Sequence, residues 1–210
     1  TGDKVELWST YGTVKVMQNR RDEGRYTKLP AELSVSMMKN ETEGAQLIMT
    51  ANQDVNGYTI TPSALTDGKG NTIPVEDITL YNQKYQLIEK VYPHIGGGAN
   101  DNYIVGDSIP DMLLPTEISK KYGENTIKKN TNQGITMEVT THSDTVPGEY
   151  NGTFELDIDG QKTDIPVRVN VWDIEYTGRK EYQSSFLIYR WQLLNGEYSD
   201  SDEVVKAYTD

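Results

Sequence analysis

Apolar and polar residues alternate over several stretches of the chain. Leu33, Val35 and Met37 are separated by serines, and Ile135, Met137 and Val139 by Thr136 and Glu138. The same spacing recurs in Phe154, Leu156 and Ile158, and again in Ile165, Val167, Val169 and Val171. A period of two sends successive side chains to opposite faces, so each stretch is predicted to be a strand with one face on a core and one in water. Asp67-Gly68, Pro147-Gly148 and Asp159-Gly160 are turn signals between such stretches. The segment from Tyr150 to Tyr176 reads as a hairpin closing at Asp159-Gly160. Several strands of this kind predict a mostly β chain folded as an antiparallel β-sandwich of immunoglobulin-like type.

Two regions depart from the pattern. Tyr92 to Lys129 contains Gly96-Gly97-Gly98, Asn100-Asp101-Asn102, Pro110 and Pro115. It predicts a long irregular stretch with a short helical turn near Thr116–Tyr122, and loops of that length are usually functional or form interfaces. Near the end of the chain, Phe186-Leu187-Ile188-Tyr189 is a continuous apolar run, as in strands covered on both faces. A polar loop with Asn195 and Gly196 follows. Asp200 and Glu203 then have the spacing of a capping box ahead of Val204-Val205-Lys206-Ala207-Tyr208. The expected division is a sandwich over residues 1–176, a linker over 177–183 and a truncated βα fragment over 184–210.

Composition narrows the partners. Only 35% of the 210 residues are hydrophobic, and Tyr is frequent (14) while Phe is rare (2). Tyr suits half-buried strands, because its ring packs while its hydroxyl stays wet. A net charge of −12 repels nucleic acid and anionic lipid, so neither is an expected partner. No apolar run has the length of a bilayer span, so membrane insertion is not expected. The absence of cysteine removes disulfides, thiolate metal sites and cysteine nucleophiles together. An acidic, cysteine-free chain rich in Tyr, Asn and Thr fits an exported bacterial protein, secreted or held at the cell surface.

Four segments in order carry a family resemblance: KNETEGAQLIMTA (Lys39–Ala51), IPDMLLP (Ile109–Pro115), PGEYNGTFEL (Pro147–Leu156) and VRVNVWDIEY (Val167–Tyr176). Together they resemble the N-terminal β-sandwich of bacterial glycoside hydrolases similar to family 123. The resemblance covers roughly residues 30 to 190. It implies that a (β/α)-barrel bearing the catalytic carboxylates follows the sandwich, and that residues 184–210 are that barrel's first βα fragment. No catalytic residue is carried over to this chain.

Several residues are candidates for chemistry of their own. Glycoside hydrolysis needs two carboxylates roughly 5–10 Å apart. Asp157 and Asp159 flank a hairpin turn, where aspartates bond to backbone. The DIDG motif they form lacks the twelfth-position Glu of a calcium loop, Arg168 standing there instead. Glu41 and Glu43 sit at a strand end and are expected to be structural. Asp111 either fixes a loop turn or faces the following domain. His94 and His142 lack an acidic cluster, so no metal site and no cofactor is expected. Thr141-His142-Ser143-Asp144 places triad residue types side by side, whereas a triad converges from separate elements. Trp8, Trp172 and Trp191 are candidates for sugar stacking or for a domain seam. Trp172 breaks the alternation of its strand and is expected to point away from the Val167–Val171 face.

Three functional readings fit these residues. The first is a non-catalytic accessory sandwich supporting a catalytic domain of the same polypeptide. The second is an autonomous carbohydrate-binding module, and the third a cell-surface structural or adhesion domain. The apolar run near residues 184–191 expects cover, so it is predicted to fold back near Trp172 or to mediate self-association.

Overall fold

The computed structural model describes residues 4–21, 26–90 and 105–178. The chain divides into two units, Thr1–Thr177 and Gly178–Asp210. Residues 179–183 of the expected linker and the whole βα fragment, with Trp191 and the 184–191 run, lie outside the described residues, as do Gly96–Gly98 and His94.

The described residues form two β-sheets. The first has the strand order β1 (Val5–Thr10), β3 (Thr42–Ala51), β9 (Asn132–Thr140), β7 (Ile78–Leu87) and β8 (Ser108–Pro115), with all pairings antiparallel. The second has the order β2 (Leu33–Lys39), β11 (Gln161–Glu175), β10 (Gly148–Ile158), β5 (Leu65–Thr66) and β6 (Thr72–Ile73), with β4 (Tyr58–Thr61) also paired to β10. One pairing departs from the antiparallel expectation: β2 runs parallel to β11. The reason lies in the corner after β2. Lys39, Asn40 and Glu41 carry the chain from the second sheet straight into β3 of the first, and Asn40 takes a positive φ of 60° there.

The alternating residues face inward as their spacing predicts. Leu33, Met37, Leu47, Met49, Ile135, Met137, Val139, Phe154, Leu156, Ile165, Val167, Val169 and Val171 are all buried in one core. Each contributes roughly 1.5–3 kcal/mol by leaving water. The β10–β11 hairpin closes through Asp159 (φ 49°) and Gly160 (φ 83°), two consecutive positive angles, and pairs Ile158 with Gln161. Such a loop twists in the same sense as its strands. Near the start of β10, the Tyr150 hydroxyl donates to the Val146 carbonyl at 2.6 Å. This is the geometry of a tyrosine corner, which fixes the chain as it enters a sandwich strand.

Two expectations require correction. The stretch 92–129 is not irregular throughout. It contains β8 and a short helix α1 (Thr116–Lys121). Strand β8 escaped the periodicity because it is an edge strand with two prolines, and because its register against β7 shifts between Pro110 and Met112, leaving Asp111 at a bulge. Pro147-Gly148 is not the tight turn before β10. That turn spans His142–Thr145, where the Thr145 N–H donates to the His142 carbonyl, and Gly148 already opens the strand.

The outer face of the first sheet is covered as well. Residues Ala45 to Ala51 of β3 are all buried, so Gln46, Ile48 and Thr50 lie under the segment that follows β1. Trp8, Val16, Tyr26 and Ile48 form a second apolar cluster there. The buried amides beside it are bonded to that segment's backbone. Gln46 donates to the Tyr11 and Val14 carbonyls, and Asn132 to the Met17 and Arg20 carbonyls.

Gly134 makes this layer possible. A Cβ at that position would overlap the buried Gln83 amide. Gln83 cannot swing aside freely, since its Nε2 donates to Gln46 Oε1 at 2.8 Å and Thr136 Oγ1 at 3.2 Å. Gly134→Ala is therefore expected to lower stability by about 1–3 kcal/mol. Denaturant unfolding checks this, and an unchanged midpoint would show that the amide layer is loosely held.

Candidate functional site

Three of the carboxylates weighed in the sequence, Asp157, Asp159 and Glu41, are committed to backbone, while Glu43 and Asp111 are exposed. Asp157 accepts the Gly160 N–H at 2.7 Å. Asp159 accepts the Asn56 and Gly57 N–H groups and pairs with the Lys4 ammonium. It thereby ties the hairpin turn to the loop before β4. Glu41 accepts the Met38 N–H at 2.6 Å and closes the corner between β2 and β3. His142 turns away from Ser143 and hydrogen-bonds Asp77 at 2.9 Å. That bond, with the charge of Asp77, holds the His142 pKa above its usual range. Among the described residues no group of three or more His, Cys, Asp or Glu side chains could hold a metal ion.

The tryptophans separate sharply. Trp8 is only 2% exposed, stacked on Tyr26 with centroids 6.0 Å apart, and its indole N–H donates to Thr50. It is closed to a ligand and belongs to the packing of the first sheet's outer face. Trp172 is 47% exposed. It shares the parity of Arg168 and Asn170, opposite to the buried Val169 and Val171. From Trp172 onward every residue of β11 is exposed, so the strand overhangs the sandwich. Trp172, Ile174 and Tyr176 occupy alternate positions on this overhang, all about half exposed. Asp111 is exposed at the β8 bulge, beside the exposed Met112 and Leu113.

The overhang has a fixed geometry. The Tyr176 N–H donates to the Lys39 carbonyl and the Asn40 amide donates to the Tyr176 carbonyl, both at 2.8 Å. Lys39 also pairs with Asp173 at 3.3 Å. Three large apolar side chains are thus left about half exposed at this strand end. Sequence reasoning found Trp172 from its broken alternation. Ile174 and Tyr176 carried the same signal, because they continue the polar-face parity with apolar residues.

Asp159 offers a charge test of the scaffold. Its hydrogen bond from Lys4, followed by those from Gly57 and Asn56, holds its pKa below the usual value of 3.8. A carboxylate depressed in the folded state contributes stability that is present above its unfolded pKa and lost as pH falls through the folded one. Asn tolerates positive φ, so Asp159→Asn keeps the turn while removing the charge and one of the two acceptor oxygens. The variant is expected to be less stable than the parent at neutral pH, with the gap closing as pH falls below about 4. Thermal melts across pH check this, and a gap independent of pH would rule out the ion pair as its source.

Residues 12–158 match the family model described as the glycoside hydrolase 123 N-terminal domain. The fold is similar to that of a family 123 glycoside hydrolase from Clostridium perfringens, a structure concerned with glycolipid glycan hydrolysis. The TM-score is 0.61 at 16% identity, over 81% of this chain and 28% of that one. At such identity the likeness shows fold alone, and this chain spans less than a third of that enzyme. The CooA pilin subunit from enterotoxigenic Escherichia coli matches at 11% identity over 82% of this chain and 99% of its own, with a TM-score of 0.36 that carries no argument. No curated protein matches.

Proposed function

Because this chain belongs to the glycoside hydrolase 123 N-terminal domain family, we propose that it is a non-catalytic accessory sandwich of a secreted or cell-surface bacterial glycoside hydrolase. It packs against a catalytic domain of the same polypeptide and supports it. One observation carries this reading: the β11 overhang presents Trp172, Ile174 and Tyr176 half exposed at the place where the first unit of the chain ends. Side chains of that size are left in water at some cost unless a partner surface covers them, each being worth roughly 1.5–3 kcal/mol when buried. The commitment of Asp157, Asp159 and Glu41 to backbone supports a structural role for the sandwich.

The 210-residue chain is expected to show no turnover of aryl glycosides. Turnover lost on a substitution within residues 1–176 would place catalysis in the sandwich and sink the proposal. The seam has its own test in the longer protein that carries this domain. Ile174→Asp is expected to split one cooperative thermal transition into two, while the isolated chain melts as before. A single transition retained in the variant would place the seam elsewhere.

A further inference from the structure

Strand β10 stops before β11 does. Their register ends with Gly148 opposite Val171. Pro147 comes before Gly148 and has no N–H with which to extend the ladder. Beyond Val171, β11 is therefore paired on one side only, by β2, through the bulge between Val171 and Glu175. The hydrogen bonds fix which side is open. The Tyr176 N–H donates to the Lys39 carbonyl and so points at β2. Successive residues of a strand direct their N–H and carbonyl groups to opposite edges. Those of Glu175 thus point away from β2, toward the place that β10 has left. Among the described residues nothing pairs with Glu175 on that edge.

The side chains along this edge sort by chemistry. Trp172, Ile174 and Tyr176 take alternate positions, with Asp173 and Glu175 between them. Lys39 pairs with Asp173, whereas Glu175 has no ion-pair partner among the described residues. We infer that the edge is completed by strand addition. An extended segment of the catalytic domain, in which apolar residues alternate with Lys or Arg, lies where β10 would continue and pairs with the backbone of Glu175. The inference rests on the seam proposed above, and adds how that seam is made and the chemistry of the segment that makes it.

In strand addition, main-chain bonds hold the incoming segment and alternate side chains select it. Apolar residues of the segment cover Trp172, Ile174 and Tyr176 on one face. Its basic residues meet Glu175 and Asp173 on the other. Charge decides between occupants. A second copy laid antiparallel on the same edge sets the acids of one overhang against those of the other, and like charges directly opposite are destabilising. The net charge of −12 on each copy adds to that repulsion. Residues 172–176 span roughly 17 Å when extended, so a short strand suffices to cover them. Lys39 and Asn40 already hold Tyr176 from the β2 side, so part of the ordering cost is met before the segment arrives.

The test is hydrogen exchange at the Glu175 N–H, read at single residues in the 210-residue chain and in the longer protein that carries it. That N–H is expected to exchange quickly in the chain and about a hundredfold or more slower in the longer protein. Glu175→Lys keeps the N–H and reverses the charge. In the longer protein it is expected to cut the protection at position 175 about tenfold at low salt, and less at high salt. Equal exchange in the two proteins, with the transition still split by Ile174→Asp, would leave the seam standing and overturn strand addition. Equal exchange without that split would remove the seam and the inference together. Protection already present in the 210-residue chain would show the edge closed, by a second copy where it rises with concentration, and would overturn the inference. So would protection indifferent to Glu175→Lys, which would rule out a basic segment.

Discussion

The register between β10 and β11 is the constraint on which the rest of this fold depends. It is set by the two positive φ angles at Asp159 and Gly160 and runs without a slip from Ile158–Gln161 to Gly148–Val171. A shift by one residue would turn Phe154, Leu156, Val167 and Val169 out of the core together. The hairpin also carries most of the second sheet, because β2 pairs with β11 while β4 and β5 pair with β10. Asp159 binds this turn to Lys4 and to the loop before β4, so the same residue that shapes the hairpin also fastens it to the far end of the chain.

The first sheet solves a different problem. Both of its faces are covered at β3, yet Gln46, Thr50, Gln83 and Asn132 are polar. Burying an amide is costly unless each group finds a partner. The segment after β1 supplies partners for the Gln46 and Asn132 amides through its own backbone carbonyls. Arg20 then pairs with Asp107, and the Gln18 N–H donates to the Ser108 carbonyl, so the segment reaches the exposed edge at β8. The segment engages that edge at Ser108, while Asp111 to Leu113 of β8 stay exposed. Amide bonding and this edge contact come from one stretch of chain.

What was legible in the sequence follows the same physics. Strands buried on one face announce themselves by alternation, as Val167 and Val169 do. Strand β8 does not, since its prolines and the bulge at Asp111 break the period. Strand β3 is buried on both faces and mixes Gln46 and Thr50 with Leu47 and Met49, which hides its polarity pattern. Trp172 was legible because it violated an otherwise regular strand. Trp8 was misleading because a tryptophan near the start of a chain carries no sign of its cover, and here that cover comes from Tyr26. The cleft between β4 and β7 could not be anticipated. It is lined by residues of β4, β7 and α1, brought together only by the packing of two sheets and a short helix.

The corner at Asn40 connects the core to the presented surface. Its positive φ takes the chain from one sheet to the other within three residues, and Glu41 closes it by accepting the Met38 N–H. The same corner reaches forward to the end of β11, where Lys39 and Asn40 hold both backbone groups of Tyr176. The overhang is therefore anchored to a point that the core itself fixes. Its backbone is held at Tyr176, and ordering a backbone beforehand lowers the entropy that a contact would otherwise cost.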